Sequence, residues 1–299
     1  MNYPALKEGD FWHEKLKPCY IHNLTGAILA RSLWFVELIK KTFPQRFLLA
    51  RLTHVPILGR IIEFLLFEGD DIIYLPKDSV IQVNKTIPKS PDMALPSQVI
   101  HHFIDKANFL WRMDFCICRA GSKCEDYPIN LGCLFLGEAV LGINPQLGRQ
   151  ISKEEAHKHI RRCQEAGLVH LVGRNKLDTV WLDIGPGNKL LTICNCCPCC
   201  CLWRIAPQLS PNISNKVTKM PGVNVKVDPE KCVACGTCVE ECFVNAIHLI
   251  ENQAIITKEC RGCGRCVSVC PQGAIEISIA HSHYIEDSIK RIGPLVDVT

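Results

Sequence analysis

The sequence predicts an α+β protein, with a helical and mixed, Cys-rich N-terminal domain followed by a small C-terminal domain. Three observations lead there. Apolar runs of helical length fill residues 24–67, and helix-like and strand-like runs alternate between 97 and 206. Eight of the chain's 20 cysteines then fall into two copies of one tight spacing between 232 and 270. These features divide the 299 residues into 1–83 (apolar helices and a short hairpin), 97–206 (Cys-rich α/β), 223–280 (the paired Cys motifs) and 281–299 (a tail). The length suffices for two domains, and 47% hydrophobic with 21% charged residues is a globular composition.

Taken in order, Thr25 reads as the cap of a first helix through Leu29, Leu33, Phe35, Val36 and Ile39, stopped before Pro44. A second helix runs from Gln45 towards Val55, and a third after Pro56 carries Ile57, Ile61, Phe64, Leu65 and Phe67. Between 31 and 60 stand six Lys or Arg and one acid, Glu37. Basic apolar helices of this kind can lie on a membrane surface. Apolar positions around most of each helix point instead to a layer packed on the protein's own core or on a partner. Gly69-Asp70-Asp71 makes a turn, and the runs 72–75 and 80–83 read as a hairpin or two edge strands. Pro88, Pro91 and Pro96 mark a linker over 84–97.

Ser97 reads as the N-cap of a helix through Val99, Ile100, Phe103, Ile104, Ala107, Phe109 and Leu110, delivering Cys116 and Cys118 near its end. Cys124 and Cys133 follow among turn formers, giving C-x-C-x₅-C-x₈-C. Ser152 and Glu155 form a capping box for a helix to Ala166, with Gly167 closing it. The strand-like runs 168–172 and 179–184 then resemble the end of a winged-helix module but come without a basic recognition helix, so the stretch reads as α/β scaffold. Cys194, Cys196, Cys197, Cys199, Cys200 and Cys201 lie in eight residues, and the Pro-bearing stretch 207–222 reads as a linker.

The paired motifs are Cys232, Cys235, Cys238, Cys242 and Cys260, Cys263, Cys266, Cys270, the second closed by Pro271. Both read C-x₂-C-x₂-C-x₃-C, and Asn245-Ala246-Ile247 repeats as Gly273-Ala274-Ile275. Residues 225–279 therefore resemble a bacterial-type ferredoxin domain with two [4Fe-4S] clusters. The rest of the chain resembles only poorly described Cys-rich ferredoxin-like iron–sulfur proteins of anaerobes. The resemblance implies crossed fourth ligands. One cluster takes Cys232, Cys235, Cys238 and Cys270, and the other Cys260, Cys263, Cys266 and Cys242. Phe243 departs from the pattern, standing where the first motif would have proline. Zinc is the alternative occupant, since C-x₂-C pairs hold it as well.

The ten cysteines of 116–133 and 194–201 are candidates for at least one additional iron–sulfur cluster, with zinc and a thiol redox pair as the alternatives. Adjacent cysteines such as Cys196 and Cys197 point apart, so the octet cannot direct all six thiolates at one cage. Cys19 and Cys163 read as ordinary thiols, and His157 and His159, two apart on a helix, do not face one site.

A net charge of +4 gives no electrostatic case for nucleic acid. No Gly-rich phosphate loop, dinucleotide fingerprint or nucleophile–base arrangement is present. The thiol content and the lack of a secretory leader point to a reducing, cytoplasmic setting, with peripheral membrane or partner contact through 24–67, and to an anaerobe. The expected function is single-electron transfer through the two clusters to a further cluster, a redox protein or an enzyme complex. That describes a carrier or redox subunit rather than a self-contained enzyme. An oxidoreductase with its centre in the Cys-rich middle, and a redox or metal sensor, are the alternatives.

Overall fold

The computed structural model describes residues 32–83, 94–280 and 282–299. Its frame is a seven-stranded sheet of order β4-β2-β3-β6-β5-β1-β7. The strands are β1 (Asp71–Tyr74), β2 (Leu110–Met113), β3 (Leu134–Leu136), β4 (Gly148–Gln150), β5 (Val169–Arg174), β6 (Leu191–Cys196) and β7 (Val217–Lys219). Every pairing is antiparallel except β1 with β7. The central strands are buried along nearly their whole length, with β3 wholly apolar and His170, Thr192 and Asn195 as buried polar residues on β5 and β6.

Helices α1 (Leu33–Thr42), α2 (Arg46–Leu52) and α3 (Pro56–Leu66) form a layer ahead of the sheet. Only part of each faces the protein. Val36, Ala50 and Ile62 are buried, whereas Trp34, Leu48, Ile57 and Phe64 are each at least 60% exposed. The layer expected to pack on the core or on a partner thus meets the core with one face and leaves another apolar face open. The predicted start of the first helix near Thr25 lies outside the described residues, as do Cys19 and most of the linker 84–97.

Several expectations need correction. Residues 78–83 form helix α4 (Asp78–Val83), not the second strand of a hairpin. Asp78 lies in its first turn, where a carboxylate favours the helix N-terminus, and its Oδ1 accepts from the Ser97 amide at 3.1 Å. Helix α5 (Gln98–Lys106) stops early and the chain enters β2, so Cys116 and Cys118 follow a strand. Helix α6 (Ile117–Gly121) carries Cys118. The second strand-like run, 179–184, belongs largely to helix α8 (Lys176–Leu182), which buries Leu182, and the winged-helix reading falls with it. The stretch 207–222, read as a linker, holds helix α9 (Pro211–Ser214) and β7, which joins the sheet beside β1. The tail 281–299 folds as α12 (Tyr284–Ile292), packed on α5 and tied by Arg291 to Asp71 at 2.9 Å. The capping box is present at the start of α7 (Lys153–Glu165).

The C-terminal region carries two antiparallel strand pairs, β8 (Val223–Val227) with β11 (Ile275–Ile279) and β9 (Ile247–Ile250) with β10 (Gln253–Ile256). Short helices α10 (Thr237–Glu241) and α11 (Arg265–Val269) follow the Cys loops and pack on each other. Val223, Val225, Ile247, Ile275 and Ile277 share one core with α5 and the sheet, so this domain is docked rather than tethered.

Candidate iron–sulfur centres

The two Cys loops repeat in conformation as well as in spacing. Ala234 and Gly236 have φ of 53° and 84°, and their counterparts Gly262 and Gly264 have 64° and 80°. Such turns bring the backbone close to whatever the thiols hold and aim amides at it. At Gly262 a Cβ would also stand 2.9 Å from Val223 Cγ1, so only glycine fits without displacement. Phe243 occupies the position of the missing proline. It is buried, and its ring lies 5.3 Å from that of Tyr74 on β1. The departure from the repeat is therefore one point at which the small domain plugs into the larger part.

The crossed ligand sets each line one cavity. Cys232, Cys235, Cys238 and Cys270 surround the first, with Leu249, Ala254 and Ile275. Cys242, Cys260, Cys263 and Cys266 surround the second, with Val225, Phe243 and Ile247. Amides donate to the thiols in matching fashion: Ala246 N to Cys242 Sγ at 3.2 Å and Ala274 N to Cys270 Sγ at 3.3 Å, each four residues on. Gly262 N reaches Cys260 Sγ at 3.4 Å and Ala254 N reaches Cys232 Sγ at 3.5 Å. Amide donors to thiolate sulfur are the hydrogen bonds that tune an iron–sulfur potential. The two cavities differ in exposure. Cys235 is at the surface, where the Thr237 hydroxyl and amide lower its thiol pKa. Burial raises Cys242 and pushes Cys263 up to about 11.

The ten middle cysteines are brought together by the sheet. Antiparallel register sets Leu134 opposite Ile193, which brings Cys133 and Cys194 side by side at the strand ends. Cys194 and Cys196 share one face of β6 by the period of two. Asn195, on the other face, locks that alternation. Its side chain donates to Gly132 O and accepts from His170 Nδ1, each at 2.8 Å, and its carbonyl accepts from Arg119 at 2.9 Å.

Cys116, Cys118, Cys133, Cys194, Cys196, Cys197 and Cys201 line a cavity of about 340 Å³. Hydrogen bonds link the thiols in series. Cys194 is raised by those to Cys133 and Cys196, and Cys196 is held well below the usual thiol range by those from Cys194 and Cys201. Cys116 is brought down to about 7, chiefly by the Cys118 thiol. Two guanidinium groups, Arg46 and Arg119, also line the cavity, and the Nε of each is buried without a partner among the described residues. Burial alone would weaken Arg119; the thiolates of Cys116, Cys197, Cys196 and Cys133 more than reverse that, and its pKa rises.

Cys124, Cys197, Cys199 and Cys200 form a separate group whose four sulfurs all lie within 4.8 Å of one another. The octet thus resolves the crowding seen in sequence by sending neighbours to different places. Cys163 is fully buried, raised to about 12 by burial, with its sulfur 3.6 Å from His159 Nε2. His157 pairs with His101 at 2.7 Å, away from His159.

Sequence reasoning missed the residues between the centres. Tyr74 is completely buried, and its pKa is raised by burial and by the thiolates of Cys201, Cys196, Cys263 and Cys194. That places it between the second ferredoxin-type site and the larger cavity. Its hydroxyl has no partner among the described residues. Arg265, next to Cys266 of the second set, donates to the Cys196 carbonyl at 2.6 Å and pairs with Glu241 at 3.4 Å. The one visible signal was Phe243 in place of proline.

These features fit bound clusters. Each set of four thiols closes on one cavity, amides point at sulfur, and buried donors on Tyr74, Arg46 and Arg119 lack protein acceptors. Residues 225–277 match the family described as 4Fe-4S dicluster domain. No curated protein and no solved structure matches the chain. Among the described residues no helix is long and apolar enough to cross a membrane.

Proposed function

We propose that the chain is an iron–sulfur electron-transfer protein in which the dicluster domain connects a redox partner at its surface to a further iron–sulfur centre in the Cys-lined cavity. Bound clusters supply one-electron chemistry, at potentials spanning about −700 to +450 mV across the class. The protein's own contribution is positional. Cys235 and the neighbouring Val233, 61% exposed, present the first site to a docking partner. Cys242, Cys260, Cys263 and Cys266 hold the second site inside the core, where Val225 and Ile247 exclude water. Phe243 against Tyr74, and Arg265 on the Cys196 carbonyl, then bridge that site to the cavity by direct packing.

This double bridge is the observation that carries the reading. Its test is to reduce the dicluster domain rapidly with a low-potential donor and follow the cavity centre by freeze-quench EPR. Reduction of that centre should lag, and the lag should lengthen severalfold in Tyr74→Leu and Phe243→Pro proteins. A lag independent of both substitutions contradicts the bridge.

The cavity's size favours a second reading, an oxidoreductase. It encloses about 340 Å³, against about 20 Å³ at each ferredoxin-type site, and Leu49, Leu177 and Trp181 add an apolar wall. Room beside the thiols suits a small substrate. Carbon monoxide or cyanide that perturbs one spectral component selectively supports catalysis, and indifference to both supports the carrier. For the partner, the open face with Trp34, Leu48, Ile57 and Phe64 supports contact with a subunit of a redox complex. Co-sedimentation with vesicles would replace that subunit by a membrane surface.

A further inference from the structure

The four sulfurs of Cys124, Cys197, Cys199 and Cys200 are too close for a cage. Around a single ion with bonds of about 2.3 Å, tetrahedral sulfurs stand about 3.8 Å apart. Here Cys124 Sγ and Cys199 Sγ are 3.5 Å apart, and all four lie within 4.8 Å. In a cubane each thiolate binds a different iron, so the sulfurs are held apart by the width of the cage. No three of the eight ferredoxin-type cysteines close to 4.8 Å in that manner. Among the described residues no other group of metal-binding side chains closes to 4.8 Å.

The backbone agrees with the sulfur geometry. Cys197 and Cys200 form a C-x₂-C turn, and the Cys200 amide donates to Cys197 Sγ at 3.4 Å. Cys124 comes from the loop after α6, and Arg204 donates to the Cys199 carbonyl, placing a cation beside the thiolates. Leu131 and Leu168 close the site on its inner side.

We propose that these four cysteines bind one zinc ion in a closed structural site, separate from the iron–sulfur chemistry of the cavity. Zinc takes four thiolates tetrahedrally and exchanges no electrons. The ion staples the loop after α6 to the loop after β6. That fixes the octet so that Cys196 and Cys201, the flanking residues, face the cavity.

The test is metal analysis of the full chain purified without oxygen from cells supplied with both iron and zinc. The wild type should carry about one zinc per chain. Cys124→Ser should remove it while leaving iron and sulfide unchanged, and Cys118→Ser, on the cavity, should lower iron and leave zinc in place. Cys124→His keeps a ligand that zinc accepts and should retain the ion, so it carries the test if the serine variant fails to fold. Wild-type protein without zinc, or Cys124→His protein that loses iron and sulfide, overturns the proposal. Absence of iron from the cavity would leave the zinc result standing and would count against the electron-transfer reading alone.

Discussion

The dicluster domain and the larger part are both rich in cysteine, yet they assemble their thiols by opposite means. In residues 225–277 three ligands of each set come from one short loop, with positive-φ residues at 234, 236, 262 and 264 turning the chain around the site. In the larger part the thiols arrive from separate elements, with Cys118 on α6 and Cys194 and Cys196 on β6, and register brings Cys133 beside Cys194. A loop motif carries its geometry with it, whereas a sheet-built site exists only once the sheet is formed. The first should therefore depend on its metal to fold, and the second should keep its frame without metal.

The largest effect expected from that difference follows complete iron removal by acid and chelator. Hydrogen exchange should show 225–277 losing protection while β3, β5 and β6 keep theirs, since without metal the thiol loops lose what closes them, whereas the strands keep their ladder and their own packing. Uniform loss across both regions would break the comparison. Next, Cys266→Ser should cost about four irons per chain from the second dicluster site. Cys196→Ser should remove only the iron in excess of eight, and iron and sulfide analysis separates the two.

Smaller effects probe the joint and the loops. Phe243→Ala should destabilise the docked domain by about 3–5 kcal/mol, measured by denaturant unfolding of the holoprotein, because it empties a buried ring site against Tyr74. Gly262→Ala should cost about 1–3 kcal/mol through its positive φ and the contact with Val223. Gly236→Ala, with 3.9 Å of clearance, should cost less.

A pH effect sits in the larger part. Burial raises Asp70 to about 7, although the Lys176 amide donates to it. A carboxyl raised above its unfolded value contributes stability that is complete below about pH 4 and is lost as pH rises through about 7. Asp70→Asn should therefore lose less thermal stability than wild type between pH 5 and pH 8.

How much of this was legible in sequence follows from the same contrast. The paired motifs, their repeat and the α+β class were readable because spacing within a loop is local information. The capping box of α7 was readable for the same reason. Residues 80–83 and 179–184 read as strands because their β-branched residues mimic strands, while tertiary packing makes most of them helical. The linker at 207–222 concealed a strand whose partner, β1, lies about 145 residues earlier. The sorting of the ten middle cysteines between the cavity and the four-sulfur group, with Cys197 in both, could not be read either. It depends on which face of β6 each occupies and on where the loop after α6 returns. Phe243 was seen as a departure, but its partner Tyr74 is visible only in three dimensions.

The most direct test of the central claim, that the larger part holds an iron–sulfur centre of its own in contact with the dicluster domain, is iron and acid-labile sulfide per chain after purification without oxygen. The account predicts substantially more than the about eight irons of two cubanes, with the excess vanishing in Cys196→Ser. Eight irons or fewer in the wild type, unchanged by that substitution, would contradict it and leave a two-cluster carrier beside an iron-free cavity.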